Sequence, residues 1–174
     1  MPFLINDIIN SKGLVLLQTT KSKICIVGEG GVGKSSLLSL LQGKDVLKER
    51  DPTIGLEVEE SLLNGKKCSI WDLAGQERFK FMWQDFLRGS GLTVLVCDST
   101  TENVEQTKQI YDRFERSLGT KIIAIANKQD LPGALSAAEV QQKLGGLKTY
   151  GMSAIRPELR ERMKEILEYE ISTF

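Results

Sequence analysis

The sequence predicts an α/β fold of three layers: a mostly parallel six-stranded sheet with one antiparallel strand, and helices on both faces. Three observations predict it. Short apolar runs alternate along the chain with amphipathic stretches, the pattern of a covered parallel sheet. Two of those runs are joined directly by Asn64-Gly65, the strongest short hairpin signal, because both central residues of a type I′ turn need positive φ. A glycine-rich loop separates the first strand-like run from the first helical stretch.

The elements follow in order. A strand over 23–27 leads through the glycine loop into a helix over 34–41, and a polar loop extends through Thr53. The runs 56–63 and 66–73 flank Asn64-Gly65, and one antiparallel hairpin strand on an otherwise parallel sheet is a common mixed arrangement. Further strands are expected at 93–97 and 121–126, and helices at 102–118, 136–144 and 158–171. Pro157 suits the first position of the last helix. Residues 1–20 read as an amphipathic helix with its lead-in, since Leu4, Ile5, Ile8 and Ile9 share one helical face while Asn6, Asp7, Asn10 and Ser11 share the other. Residues 21–174 form the expected domain.

Composition narrows the function. A chain of 174 residues, 41% apolar and 26% charged, supports one ordinary globular domain. Lys plus Arg equals Asp plus Glu at 23 each, so no bulk charge attracts nucleic acid, and no nucleic-acid partner is expected. The chain has no histidine, which removes the usual general base and the commonest metal ligand. Cys25, Cys68 and Cys97 each lie in an apolar run and read as small buried hydrophobes in a reducing compartment. No apolar run reaches the ~20 residues a membrane span needs. The N-terminus lacks the basic leader of a secretory signal. A cytoplasmic location is expected, with peripheral contact at a membrane surface.

Gly28-Glu29-Gly30-Gly31-Val32-Gly33-Lys34-Ser35 matches G-x-x-x-x-G-K-[ST], and Ser36 continues into the helix. Glycines let the backbone wrap closely, so that N–H groups point inward at phosphate oxygens. The helix that follows presents its N-terminus to the same anion. Lys34 is expected to reach the β- and γ-phosphates, and the Ser35 hydroxyl to ligate Mg²⁺. Asp72, at the end of the second hairpin strand, can hold Mg²⁺ through water. Gly75 can offer its N–H to the γ-phosphate, and Gln76, which both donates and accepts, can orient an attacking water.

The 28–35 loop, the run from Asp72 to Gln76 and the later Asn127-Lys128-Gln129-Asp130 together resemble the Ras superfamily of small GTPases, in the family's order over nearly the whole chain. Pro52-Thr53-Ile54-Gly55, the run from Trp71 through Trp83 to Gly91, and Asn127 through Pro132 most resemble its Arf and Arf-like branch. The resemblance implies a P-loop GTPase domain acting as a molecular switch in membrane trafficking or related signalling. It also implies binding of GTP and GDP with Mg²⁺, slow hydrolysis of GTP, and effector, exchange-factor and GTPase-activating proteins as partners. It makes Thr53 a ligand of Mg²⁺ that senses the γ-phosphate. Leu56, Trp71 and Phe86 become an apolar effector surface, and ordinary core packing is the other reading of those three.

The base site follows from chemistry and from the resemblance together. Asn127-Lys128-Gln129-Asp130 leaves an apolar strand at its carboxyl end, where α/β sheets bind ligands. Asp130 can accept from both adjacent donors of guanine, and adenine leaves it unpaired, at a cost of several kcal/mol in order of magnitude. The alkyl stem of Lys128 can lie over the base plane. The resemblance assigns Asn127 to bracing this loop and contacting the base, and makes Ser153-Ala154 the second base loop.

The sequence also departs from the Arf branch. Gly30 stands where that branch usually carries aspartate, giving a Ras- or Rab-like phosphate loop. Pro2 removes the myristoylation signal, and Ile171-Ser172-Thr173-Phe174 holds no prenylation cysteine. Arg50, three residues before Thr53, has the spacing of the built-in arginine finger of heterotrimeric G-protein α subunits, and a solvated loop arginine is the other reading. The N-terminal helix either packs permanently on the body or a protein partner, or is released with GTP to make weak membrane contact. The alternatives to an Arf-like switch are a nucleotide-binding scaffold without significant hydrolysis and a Ras- or Rab-like switch; an ATPase or nucleoside kinase is opposed by Asp130.

Overall fold

The computed structural model describes residues 8–9, 15–16, 22–46, 51–119 and 121–173. Two short strands, β1 (Ile8–Ile9) and β2 (Val15–Leu16), pair antiparallel and stand apart from the main sheet. Here the structure differs from the helix expected over the N-terminus. Ile8, Ile9 and Val15 are β-branched and favour extended backbone. The rest of that expected helix lies outside the described residues.

The main sheet has six strands: β3 (Ser22–Val27), β4 (Leu56–Leu63), β5 (Lys66–Leu73), β6 (Leu92–Cys97), β7 (Ile122–Ala126) and β8 (Thr149–Gly151). Their spatial order is β4-β5-β3-β6-β7-β8, and every neighbouring pair is parallel except β4 with β5. Asn64 and Gly65 have φ of 51° and 71°, the two positive values their turn demands. β6 is buried at every residue, as a central strand covered on both faces must be.

Among the described residues five helices cover the faces: α1 (Lys34–Leu41), α2 (Trp83–Phe86), α3 (Thr101–Phe114), α4 (Ala137–Lys143) and α5 (Arg160–Ser172). Alternation along β3 divides the core. Ile24 and Ile26 pack with Leu37, Leu41, Met163 and Leu167 beneath α1 and α5. Cys25 and Val27 pack with Trp83, Leu87, Ile110 and Phe114 beneath α2 and α3. All three cysteines are buried and outside any disulfide, as small hydrophobes. Among the described residues no helix is long and apolar enough to cross a membrane.

Most element bounds match the sequence reading, and the exceptions have local causes. α3 stops at Phe114 rather than 118, where Ser117 N–H turns back to the Phe114 carbonyl at 2.7 Å. Ser136 caps α4 instead of opening it, and its hydroxyl and Glu139 form a reciprocal capping box. Pro157 begins a 3-10 turn (Pro157–Leu159) before α5. β8 is too short and too polar to announce itself, and its parallel register with Ala124–Ala126 of β7 places it. The 3-10 turn Glu77–Met82 and the single-turn α2 lack a helical period long enough to read.

The far edge is closed by a buried charge. Glu170 of α5 is 1% exposed. Its carboxylate accepts from Lys148 Nζ at 2.6 Å, from Lys121 Nζ at 2.9 Å and from the Tyr150 hydroxyl. Burial pushes its pKa up, but the bonds from Lys148, Tyr150 and Lys121 outweigh it and hold the carboxyl at about 2, below its ordinary 4.5. A depressed carboxylate stabilises the fold above its unfolded pKa and stops doing so as pH falls through the folded one. Glu170→Gln is therefore expected to cost about 1–3 kcal/mol at pH 7, allowing for screening of the exposed lysines. Urea unfolding of both proteins between pH 7 and pH 2 checks this: the gap stays constant above about pH 4.5 and closes towards about pH 2.

Candidate functional site

The site is built where the carboxyl ends of β3, β5 and β7 come together, the end of a parallel sheet at which ligands bind. Between β3 and α1 the chain turns so tightly that a Cβ on Gly28 would overlap the Val96 carbonyl oxygen. Gly33 caps α1 with φ of 99°, and a Cβ there would overlap the Asn127 amide nitrogen. Lys34, 6% exposed, donates to the carbonyls of Gly28 at 3.1 Å and Glu29 at 2.7 Å. Burial lowers its pKa to about 8, against the opposing pull of Asp72 and Glu29 and with a further push down from Lys80.

Three oxygen-bearing side chains meet beside this loop. The Ser35 hydroxyl lies 2.9 Å from that of Thr53 and donates to Asp72 Oδ2. Asp72 is wholly buried on β5, beside Ile26 at the end of β3. Two hydroxyls and one carboxylate are hard donors that suit Mg²⁺, which is usually held by one or two carboxylates together with waters and substrate phosphates.

Behind Asp72 the chain presses against the phosphate loop. A Cβ on Gly75 would overlap the Gly28 carbonyl and stand 2.5 Å from Lys34 Nζ, so only glycine fits. Gln76 follows at once, with its Cγ 3.7 Å from where a Cβ on Gly30 would lie. The Gln76 amide oxygen accepts from Arg78 Nε at 3.1 Å. Ala74 N–H donates to the Gly55 carbonyl at 3.0 Å, tying the loop that carries Thr53 to the segment that carries Gln76.

Asn127 follows β7 and is 1% exposed. Its Nδ2 donates to the Val32 carbonyl at 2.9 Å, and its Oδ1 accepts from Ala154 N–H at 3.1 Å. Lys128, at φ 61°, reaches across to the Gly31 carbonyl at 2.7 Å. Ser153 donates to Asp130 Oδ1 and fixes that carboxylate. A cleft of about 550 Å³ joins these parts, with Gly30, Lys34 and Ser36 at its phosphate end, Thr53 and Gln76 at its side, and Lys128 and Asp130 at its far end. Of the residues expected from sequence, Gly28, Glu29, Val32, Asp72 and Ser153 support this cleft without lining it.

Comparison with known proteins gives these features a family. Residues 23–130 match Roc, the Ras of Complex, Roc, domain of DAPkinase. ADP-ribosylation factor J of Dictyostelium discoideum is 34% identical over 128 residues, covering 71% of this chain and 68% of its own. ADP-ribosylation factor-like protein 5 of Caenorhabditis elegans is 36% identical over 129 residues and 72% of each chain. ADP-ribosylation factor-like protein 1 of Saccharomyces cerevisiae is 35% identical over 126 residues, covering 70% of this chain and 68% of its own. The chain belongs to the Arf-like small GTPases.

Within this Arf-like domain Leu56, Trp71 and Phe86 bear out the core-packing reading in part. Each is half-buried against the core that holds Leu73 and Trp83. The Trp71 and Phe86 rings lie 6.3 Å apart, and Lys23 Nζ sits 3.7 Å over the Trp71 ring. Sequence reasoning missed Ile54 and Phe81, which are both 76% exposed. It also missed Asp51, Pro52, Leu131 and Ile155 as cleft walls. The most informative omission is Ser99, fully buried with φ of 65°. Its hydroxyl donates to the Asn127 carbonyl at 2.6 Å and accepts from Gln129 Nε2 at 2.9 Å. No periodicity marks such a residue; the one local cue is Thr100 beside it, which caps α3. Arg50 lies outside the described residues.

Asn127→Ala leaves the Val32 carbonyl and the Ala154 N–H without their buried partner, at about 1–3 kcal/mol for each group. Its expected effects are a lower melting temperature and at least about tenfold faster release of a fluorescent GDP analogue, read by stopped flow.

Proposed function

We propose that this Arf-like domain is a guanine-nucleotide switch that binds GTP with Mg²⁺, hydrolyses it slowly to GDP, and presents different surfaces in the two states. The observation that supports this reading is the meeting, around one cleft, of an anion-cradling loop, a trio of hard oxygen donors, an uncharged water-orienting amide and a carboxylate fixed at the far end.

In this reading the backbone N–H groups of residues 30–36 cradle the phosphates at the start of α1. The Lys34 ammonium, favoured by the nearby polyphosphate, neutralises the β- and γ-oxygens. Ser35, Thr53 and Asp72 would hold Mg²⁺, which when bound supplies charge neutralisation to the phosphate oxygens. Gly75 offers its N–H to the γ-phosphate. The Gln76 amide accepts from the attacking water and donates to the transferring group, aligning the two. An amide orients water but is a poor base, so turnover without a partner is slow. Asp130 accepts from the two guanine donors while Ser153 holds its other contact, the Lys128 stem covers the base, and Ala154 N–H lies where the guanine carbonyl is received.

Thr53 and Gly75, on facing loops, sense the γ-phosphate together. Leu56, Trp71 and Phe86, joined by Ile54 and Phe81, form the surface that effectors read, and exchange factors and GTPase-activating proteins act on the same loops. The apolar N-terminal segment supplies weak membrane contact to a cytoplasmic protein. A scaffold without hydrolysis is disfavoured by the closeness of Gln76 to Gly30.

Asp130→Asn exchanges one acceptor for a donor, and the expected outcome is a shift of preference from GTP to XTP, measured by competition against bound labelled GDP. Full retention of GTP preference moves the base site elsewhere. Gln76→Leu is expected to keep GTP affinity within about threefold and to slow single-turnover hydrolysis at least about tenfold. An unchanged rate removes Gln76 from the reaction.

A further inference from the structure

The switch reading uses Gly75 and Gln76 but gives no role to the buried cation that follows them. Lys80, in the 3-10 turn Glu77–Met82, is only 4% exposed. Lysines are almost never so buried without a partner, because a desolvated ammonium is costly. Its Nζ lies 2.9 Å from Glu77 Oε2 and 2.5 Å from Glu29 Oε1, with the Trp83 ring 5.9 Å away. Glu77 is an exposed neighbour on the same turn. Glu29 is 51 residues distant and belongs to the phosphate loop.

Both ends of this pair are attached to the reacting groups. The Glu29 carbonyl accepts from Lys34 Nζ at 2.7 Å while its carboxylate holds Lys80, so one residue grips both lysines. The turn that carries Lys80 starts on Gln76: Phe79 N–H donates to the Gln76 carbonyl at 2.9 Å. Trp83, directly after the turn, donates from Nε1 to the Ala74 carbonyl at 3.0 Å, which fixes the segment's other end. Lys80 therefore clamps against the phosphate loop a short turn that Gln76 caps at its start.

We propose that the Glu29–Lys80 ion pair is a positioning device for hydrolysis, holding the turn that carries Gln76 in register with the phosphate loop. This rests on the switch reading above. Neither residue touches the reacting atoms. Their effect passes through the backbone of Gln76, where small misplacements of a reacting geometry are expensive.

The test combines single-turnover hydrolysis of preloaded GTP with amide hydrogen exchange over residues 76–83 in the GDP-loaded protein. Lys80→Met and Glu29→Gln are each expected to slow hydrolysis about tenfold while changing GTP dissociation less than about threefold. The double variant is expected to be no slower than Lys80→Met alone, because that variant has already lost the pair with Glu29. Lys80→Arg keeps the charge and restores the rate. Arg113→Gln, which removes the exposed contact of Arg113 with Glu77 and its stacking over Phe114 but leaves the Glu29–Lys80 pair intact, is expected to match the unaltered protein. Exchange over 76–83 rises in Lys80→Met and Glu29→Gln and not in Arg113→Gln. Unchanged hydrolysis in both single variants, multiplied losses in the double, or unaltered exchange each overturn the proposal. If Lys80→Met does not fold, Glu29→Gln, whose side chain is part-exposed, decides the matter. If the unaltered protein does not turn over GTP, the switch reading fails, and the exchange measurement still decides whether the pair fixes the turn.

Discussion

The buried amide of Asn127 joins segments up to 95 residues apart in sequence, and the rest of the site depends on that junction. Its nitrogen holds the phosphate loop at Val32, its oxygen holds the second base loop at Ala154, and its own carbonyl is held by Ser99. Gly33 must be glycine because this amide stands where a side chain would be. A parallel sheet brings the carboxyl ends of its strands to one edge but does not set the relative heights of the loops there. A single planar amide with a donor on one side and an acceptor on the other does so for the phosphate and base ends together.

A second set of constraints acts at the other side of the phosphate loop. Lys34, Asp72 and Lys80 are all buried charges within or beside one small site. Each is held by short hydrogen bonds or ion pairs to neighbouring loops, so none of those loops can shift without exposing or stranding a charge. Such an arrangement resists smooth deformation of the loops. It also links the region of Thr53 to that of Gln76, through the bond from Ala74 to Gly55.

How much of this was legible in the sequence follows from the range of each signal. The bounds of α1, β4 and β5 could be read directly because strong local rules govern them: a glycine loop before a helix, and Asn64-Gly65 between two apolar runs. Side chains that meet at the cleft were legible because loop, strand end and base motif each follow an apolar strand. Ser99 and Lys80 were not, because their roles arise from contacts between loops distant in sequence, and neither residue type signals burial. β8 is defined by its neighbour rather than by its own residues. At the N-terminus the helical wheel predicted a helix through Ile8 and Ile9, and the extended backbone that β-branched residues favour prevailed there.

β4 is the outermost strand of the main sheet, and among the described residues nothing pairs with its open side. It also exposes Val58 and Leu62, so backbone and apolar side chains together offer a template on which a second copy could add. Glu57, Glu59 and Glu60 interrupt that stretch. Two copies aligned edge to edge would bring these carboxylates together, and their mutual repulsion opposes growth of an extended sheet. The same strand can therefore leave its edge open without seeding an extended sheet.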